Sequence, residues 1–392
     1  MHILLATTGY PPEHSGAGGR LHSMYRRLAA TDATFRWSVL TKSREVSGSA
    51  VSGPLRVVAF ERGLSEYPSM FEAAVESFWV GRKLAAGLLD GIDLVHAAGW
   101  TWTVPPLVWH ARRRGIPIVR ELTTAGDAGG ESRGGRLIRW CNRQASQIVA
   151  ISPALAEAAR CDVAADVPIW CRPNGVDVTR FRPADRTSRA RRRAELGTMI
   201  GAIAEGDIVV LHVGRIRSLK NQLLLAEAVA RLPLRFKLVL AGPTYHSDDG
   251  YVGLVRRRLA EADLAERATL IEGNLPDIDG LMQGADLFAF PSTQEGLGTV
   301  MIEALCCGLP VVASRLRGVT DWVVREGRNG FLAERDPLSF AKRLTDAVAL
   351  LPLRNEIAAD AAKTYDQASM DEGYRALFQH VLPRALIPSE SP

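Results

Sequence analysis

Short apolar, β-branched runs alternate along this chain with stretches of helical length, and that rhythm constrains the fold more than any other feature. The first half carries HILLAT (2–7), RWSVLT (36–41), LRVVAF (55–60), DLVHAA (93–98), PIVREL (117–122) and QIVAIS (147–152). The second half carries DIVVLHV (207–213), FKLVLAG (236–242), ATLIEG (268–273), DLFAFPS (286–292) and PVVAS (310–314). Runs that are apolar throughout, rather than at alternate positions, belong to parallel strands covered by helices on both faces. Stretches such as 221–232 and 337–351 have the length of crossover helices. A chain of 392 residues is more readily two domains than one core. The expected class is therefore α/β, with two doubly wound domains. The break falls near 178–206, where the arginine-rich DVTRFRPADRTSRARRRAELG shows no strand pattern. Such a basic run reads as a solvated linker or helix face.

Composition excludes several alternatives. Hydrophobic residues make up 47% and charged residues 23% of the chain, the balance of a folded globular protein rather than a disordered one. The net charge of +5 hints at anionic partners, although a solvated arginine surface gives the same sum. Five cysteines with no Cys-x-x-Cys spacing make neither a zinc cage nor a disulfide framework. Cys306 and Cys307 read as core filler, and a reducing cytoplasm is the expected compartment. The apolar run in MHILLATTGYPP is too short for a signal peptide, and no stretch approaches the roughly 18 apolar residues of a membrane span. The expectation is a soluble protein, or at most one that lies on a surface.

In open α/β sheets, ligands sit beyond the carboxyl ends of the strands. The loops there, TTGYPPEHSGAGGR, VGRIRSLKN, AGP, EGN and PSTQEGLG, are rich in glycine and charge. In QEGLGTVMIEALCCGLPVVAS (294–314), a helix is expected from about Thr299. Its first N–H groups lack intrahelical partners and form an anion site. Glu295 lies before that helix and Glu303 one turn inside it. Like charge keeps both off a phosphate, but each can accept a hydroxyl on either side of a diphosphate, as a nucleotide sugar would present. The bland alternative is a surface helix with incidental glutamates. In HVGRIRSLKN (212–221), Arg215 and Lys220 are two cations on a strand-end loop, suited to a leaving diphosphate. In isolation they would read as solvated.

Two patterns are decoys. GAGGRL resembles a dinucleotide fingerprint, but Leu21 occupies its third glycine position and the loop starts late. Asp277-Ile278-Asp279 looks like a metal-binding pair, yet its place at a helix start suits a capping aspartate. No metal is read there.

The series HVGR…KN, AGP, IEG and ADLFAFPSTQEGLGTVMIEALCCGLPVVAS, with CRPNGVD (171–177), resembles family 4 of the retaining glycosyltransferases. The spacing of two glutamates across seven residues is the most specific part of the likeness. The resemblance implies a GT-B fold, two Rossmann-like doubly wound domains facing across a cleft. Domains at 1–183 (acceptor side) and 184–367 (donor side) follow, with a terminal helix in 368–392 crossing back to the first. It implies a metal-independent, retaining transfer from a UDP-, GDP-, dTDP- or ADP-sugar to a hydroxyl acceptor (glycan, lipid-linked or small molecule), with no bound cofactor and no nucleic acid. Glu295, Arg215 and Lys220 would be catalytic. Donor contacts would come from Gly16, Gly18, Gly19, Gly214, Gly242, Glu272, Gly296, Leu297, Gly298, Thr299, Val300 and Glu303 as well. His96, Trp100 and Glu121 would lie on the acceptor side, where Glu121 replaces the histidine or aspartate of many relatives. His96 reads also as a structural hydrogen-bonding residue, Glu121 as a salt-bridge partner, and Trp100 and Trp102 as core packing or a stacking platform.

Other readings stay open: a nucleotide-sugar epimerase or phosphorylase on the same fold, or a non-catalytic nucleotide-sugar binder. SRGGRLIRWCNR (132–143) aligns Arg136, Arg139, Trp140 and Arg143 opposite Leu137, Ile138 and Cys141. That suits either a helix on the anionic inner face of a membrane or one packed on its own sheet with a solvated basic face.

Overall fold

The computed structural model describes residues 1–11, 16–43, 48–52, 55–61, 69–129, 134–162, 166–273 and 275–382. The chain forms two units, one of Met1–Pro173 with Ala368–Pro392 and one of Asn174–Gln367.

The first unit holds β1 (His2–Thr7), β2 (Arg36–Ser43), β3 (Gly48–Ser52), β4 (Leu55–Glu61), β5 (Leu94–Ala98), β6 (Ile118–Leu122), β7 (Gln147–Ala150) and β8 (Ile169–Cys171). They form one sheet in the order β3-β4-β2-β1-β5-β6-β7-β8. All neighbours pair in parallel except β3, which runs antiparallel to β4. Side chains alternate between the faces of a strand, and β1 shows the consequence. Ile3 and Leu5 pack with Leu21, Met24 and Tyr25 of the helix Gly16–Thr31 and with Tyr374 and Phe378 of the helix Gln367–Val381. Leu4 and Ala6 pack on the opposite face with the helices Met70–Ala85 and Val104–Arg113.

The second unit holds β9 (Ile208–Val213), β10 (Phe236–Gly242), β11 (Ala268–Glu272), β12 (Leu287–Phe290), β13 (Val311–Ser314) and β14 (Gly330–Ala333). Their order, β11-β10-β9-β12-β13-β14, is the doubly wound order in which the winding reverses between the first and fourth strands. Every pairing is parallel. The reversal lies between β9 and β12, so the crevice beyond their carboxyl ends is where the topology leaves room for a ligand. The arginine-rich stretch is a helix of this unit, Arg186–Ile200. Arg189 and Arg193 both reach Asp286, at 2.5 and 2.7 Å, so the basic run is partly spent on tying that helix down.

The three strands that the apolar runs do not announce, β3, β8 and β14, are all edge strands. An edge strand pairs on one side only and is often short. Its apolar run is correspondingly weak.

Candidate active site

The loops after β9 and β12 meet at the reversal point. Thr293 donates its N–H (2.9 Å) and its hydroxyl (3.2 Å) to the carbonyl of Leu219. That link sets Lys220 beside Glu295, with Nζ to Oε1 at 2.5 Å. The helix Thr299–Cys306 opens next to them, and its N-cap is Gly298, which has no side chain to cap it. The first turn of that helix therefore keeps its anion-binding character. Asn174 steadies it by donating Nδ2–H to the Thr299 hydroxyl at 2.8 Å.

Two glycines here are required by geometry. Gly298 sits at φ 83°, and a Cβ on it would lie 2.5 Å from Cζ of Phe290. Gly242, which ends β10, sits at φ 152°, where a Cβ would lie 2.1 Å from the carbonyl oxygen of Gly214. The ends of β9 and β10 can approach this closely only without side chains.

Arg215 turns toward the next loop. Its Nε donates to Asp248 at 2.6 Å, an Nη donates to the Ser247 hydroxyl at 2.9 Å, and the guanidinium lies 4.6 Å from the ring centre of Tyr245. Beneath it lies a residue the sequence reading missed. His212 on β9 is fully buried, and burial pushes its imidazole down to about 4. The ring is neutral, so one nitrogen donates and the other accepts. Nδ1–H donates to the carbonyl of Ala289 at 2.9 Å, and Nε2 accepts from Gln222 at 3.3 Å. Gln222 also donates to the Arg215 carbonyl at 3.0 Å. This relay ties the backbone of the Arg215 loop to β12. A histidine inside the otherwise apolar IVVLHV was the available signal.

Glu303 is half-buried, and burial pushes its carboxyl up to about 7, with Arg180 opposing and Asp279 reinforcing the rise. Among the described residues its carboxyl has no hydrogen bond or ion pair, whereas Glu295 has Lys220. The two glutamates thus differ before any ligand arrives. Glu272, expected among the donor contacts, is also paired in the free protein. It lies at the end of edge strand β11, where Arg256 grips it with two bonds of 2.9 and 2.7 Å. Asp277 caps the helix Ile278–Gly284 by accepting from the Gly280 N–H, as a capping aspartate should.

In the first unit, Gly16, Gly18 and Gly19 form the first turn of the helix Gly16–Thr31. Ser15 of that glycine run lies outside the described residues, as do Asn274 of EGN and Ser132 and Arg133 of the basic helix. His96 and Glu121, expected on the acceptor side, are both fully buried and offer no surface to an acceptor. Glu121 instead binds Arg20, accepts from the Tyr374 hydroxyl at 2.7 Å and lies 3.2 Å from Nε2 of His96. Burial alone would raise its carboxyl, but Arg20, His96 and Tyr374 outweigh it and hold it at about 2. The Tyr25 hydroxyl and His96 Nδ1 are 2.8 Å apart, which extends the cluster. Together these residues fasten the terminal helix to the sheet. Trp100 packs against the core, edge-on to Trp102 at 6.0 Å between ring centres. In the helix Gly135–Arg143, Ile138 and Cys141 are buried, Trp140 packs against the core from the side expected to be basic, and Arg136 and Arg143 are exposed while Arg139 and Leu137 are half-buried.

Two doubly wound sheets, the second with an uncapped helix start and constrained glycines at its reversal point, give the fold class GT-B. The family description "Glycosyl transferase 4-like domain" matches residues 15–175, and "Glycosyl transferases group 1" matches residues 199–364. The chain belongs to these GT4-type glycosyltransferases. It is 29% identical over 346 residues to the D-inositol 3-phosphate glycosyltransferase of Mycobacterium marinum, which covers 84% of this chain and 69% of that one. The enzyme of the same name from Mycolicibacterium paratuberculosis is 31% identical over 71% of this chain and 60% of its own. This chain therefore spans about two thirds or less of the length of several such relatives. Among solved structures, the fold is shared with Anabaena HepE in complex with UDP (TM-score 0.76, 21% identity, 97% of this chain and 100% of that one). It is shared also with sucrose-phosphate synthase from Thermosynechococcus elongatus (TM-score 0.77, 19% identity, 97% and 98%). Among the described residues, no helix is long and apolar enough to cross a membrane.

Proposed function

We propose that this glycosyltransferase moves a sugar from a nucleoside diphosphate to a hydroxyl acceptor, with retention at the anomeric carbon and without a bound metal. The observation that carries the reading is the uncapped start of the helix Thr299–Cys306, flanked by Glu295 on Lys220 and by the unpaired Glu303. The diphosphate sits at that helix start. Lys220 has three donors and can hold Glu295 and a phosphate oxygen together, and a phosphate can share the five-donor guanidinium of Arg215 with Asp248. These cations and the helix dipole supply the positive field that a metal would otherwise provide. The bond from the anomeric carbon to the diphosphate breaks, the acceptor oxygen bonds to that carbon on the same face, and the acceptor proton passes to the departing phosphate oxygen. Glu295 faces the sugar and Glu303 the ribose.

The similar proteins suggest the first trials, UDP-sugars as donors and an inositol phosphate as acceptor. The reading places the enzyme in a reducing compartment. The test is a thermal-shift panel of UDP, GDP, dTDP and ADP and their sugars, followed by turnover with and without EDTA and by NMR of the product. One donor should stabilise the protein, turnover should survive EDTA, and the product should keep the donor's anomeric configuration. An inverted product or loss of turnover in EDTA would contradict the mechanism.

Glu303 gives a pH prediction. The free enzyme holds its proton up to about 7. A ribose hydroxyl that donates to the carboxylate favours the ionised form. Binding should then release a proton, and affinity for the diphosphate should rise as pH climbs toward about 7 and level off above it. Glu303→Gln should flatten the rise, leaving only the titration of the ligand's own phosphate. Calorimetry in buffers of different ionisation enthalpy checks both, and identical profiles for the two proteins would refute the ribose contact. The folding term has the opposite sense: stability from a raised carboxyl is fully present below its ordinary value of 4.5 and is lost as pH rises through about 7.

A further inference from the structure

Three helices, Met70–Ala85, Val104–Arg113 and Gly135–Arg143, cover one face of the first sheet. Val80 and Leu84 of the first, Leu107 and Val108 of the second and Cys141 of the third share a single core cluster with strand residues such as Leu4 and Val95. Because their inner sides meet one sheet face, their outer sides form one continuous surface.

That surface joins protruding aromatic groups to positive charge. Phe71 is 74% exposed, Phe78 is 69% exposed and Trp109 is 45% exposed. A spacing of seven residues is about two turns, so Phe71 and Phe78 project from one stripe about 10 Å apart. The exposed Ala74 lies between them and the exposed Arg82 continues the line. Single exposed apolar side chains are ordinary, but large ones aligned on one helix mark a contact surface. The first helix ends in Arg82 and Lys83, the second in Arg112 and Arg113, and the third carries Arg136 and Arg143, all exposed. Lys83 lies 5.5 Å from the ring centre of Trp79, and Arg113 lies 4.7 Å from that of Trp109. Among the described residues, two acids nearby are committed. Glu72 closes the capping box of its own helix, and Asp90 is paired with Arg114 at 2.7 Å.

We propose that this face docks on an anionic lipid bilayer. Phe71 and Phe78 enter the boundary between headgroups and acyl chains, while the surrounding cations meet lipid phosphates. Charge complementarity selects an anionic partner, and the phenylalanine stripe selects a lipid surface over a nucleic acid, because phosphates alone leave those rings in water. The proposal uses none of the residues assigned to transfer and does not depend on that assignment.

The test is co-sedimentation of the full chain with vesicles of phosphatidylcholine alone and with added phosphatidylglycerol, at low and high salt. Binding is expected to the anionic vesicles at low salt, with release as salt screens the charge and a blue shift of tryptophan emission on binding. The double variant Phe71→Ser, Phe78→Ser should reduce partitioning about tenfold or more. Because both side chains are exposed, its melting temperature and nucleotide binding should match the parent protein. A second variant, Arg82→Glu with Arg113→Glu, should abolish the preference for anionic lipid. Equal partitioning to both vesicle types, or parental binding by the phenylalanine double variant, would overturn the proposal. So would binding to single-stranded DNA or to an acidic protein without binding to vesicles.

Discussion

Replacing Glu295 with alanine should lower kcat by about a hundredfold or more, the order expected when a polar contact made mainly in the transition state is removed. The KM for the donor should change by no more than about threefold, since contacts made equally in both states are untouched. The structure sharpens this expectation. Glu295 is paired with Lys220 in the free protein, so its loss also releases a cation beside the anion site. Affinity for the bare diphosphate should therefore stay constant or improve even as turnover falls. Lys220→Ala should break the same ion pair while weakening the diphosphate. Steady-state kinetics and calorimetry on the two variants separate these effects. A Glu295→Ala enzyme with raised KM and unaltered kcat would place the carboxylate in ground-state binding, away from the reacting sugar.

Replacing Arg215 and Lys220 together should raise the dissociation constant for the nucleoside diphosphate by about tenfold or more, through lost charge-assisted bonds. Turnover should fall further than binding, because the leaving diphosphate gains charge in the transition state. Arg215→Lys should rescue poorly, since an ammonium cannot reproduce the forked contacts that link Asp248, Ser247 and a phosphate. Calorimetry on the double variant, with single-turnover kinetics, reads both quantities. An unchanged dissociation constant would remove these cations from the diphosphate site.

Much of the fold could be read from the sequence, because buried parallel strands are apolar along their whole length and leave a strong trace. The strand ends carry the glycine-rich loops that the sequence singled out, and Gly242 and Gly298 there sit where a Cβ would clash. The partners were far less visible. Asp248 lies 33 residues from Arg215, and Tyr374 lies 253 residues from Glu121. No local pattern marks such pairs. Glu121 shows the cost most clearly: a carboxylate at a strand end looks the same in sequence whether it faces a ligand or a buried arginine. The partner of Glu272 was equally hidden, since only register and sheet order bring it beside Arg256. Trp140 was expected on the basic face of its helix, but helical periodicity alone could not tell that this large ring lies against the core while Arg136 and Arg143 remain exposed.

The central claim is that one diphosphate at the reversal point of the second sheet separates the roles of Glu295 and Glu303. The most direct measurement is calorimetric titration of the bare nucleoside diphosphate into the parent protein, Glu303→Ala and Glu295→Ala. Glu303→Ala should weaken binding by about 1–3 kcal/mol, the range for a hydrogen bond to a charged group. Glu295→Ala should bind as tightly as the parent or more so, because no sugar is present to miss its carboxylate. Equal weakening by the two substitutions would contradict the account, since the glutamates would then not divide the ligand between ribose and sugar.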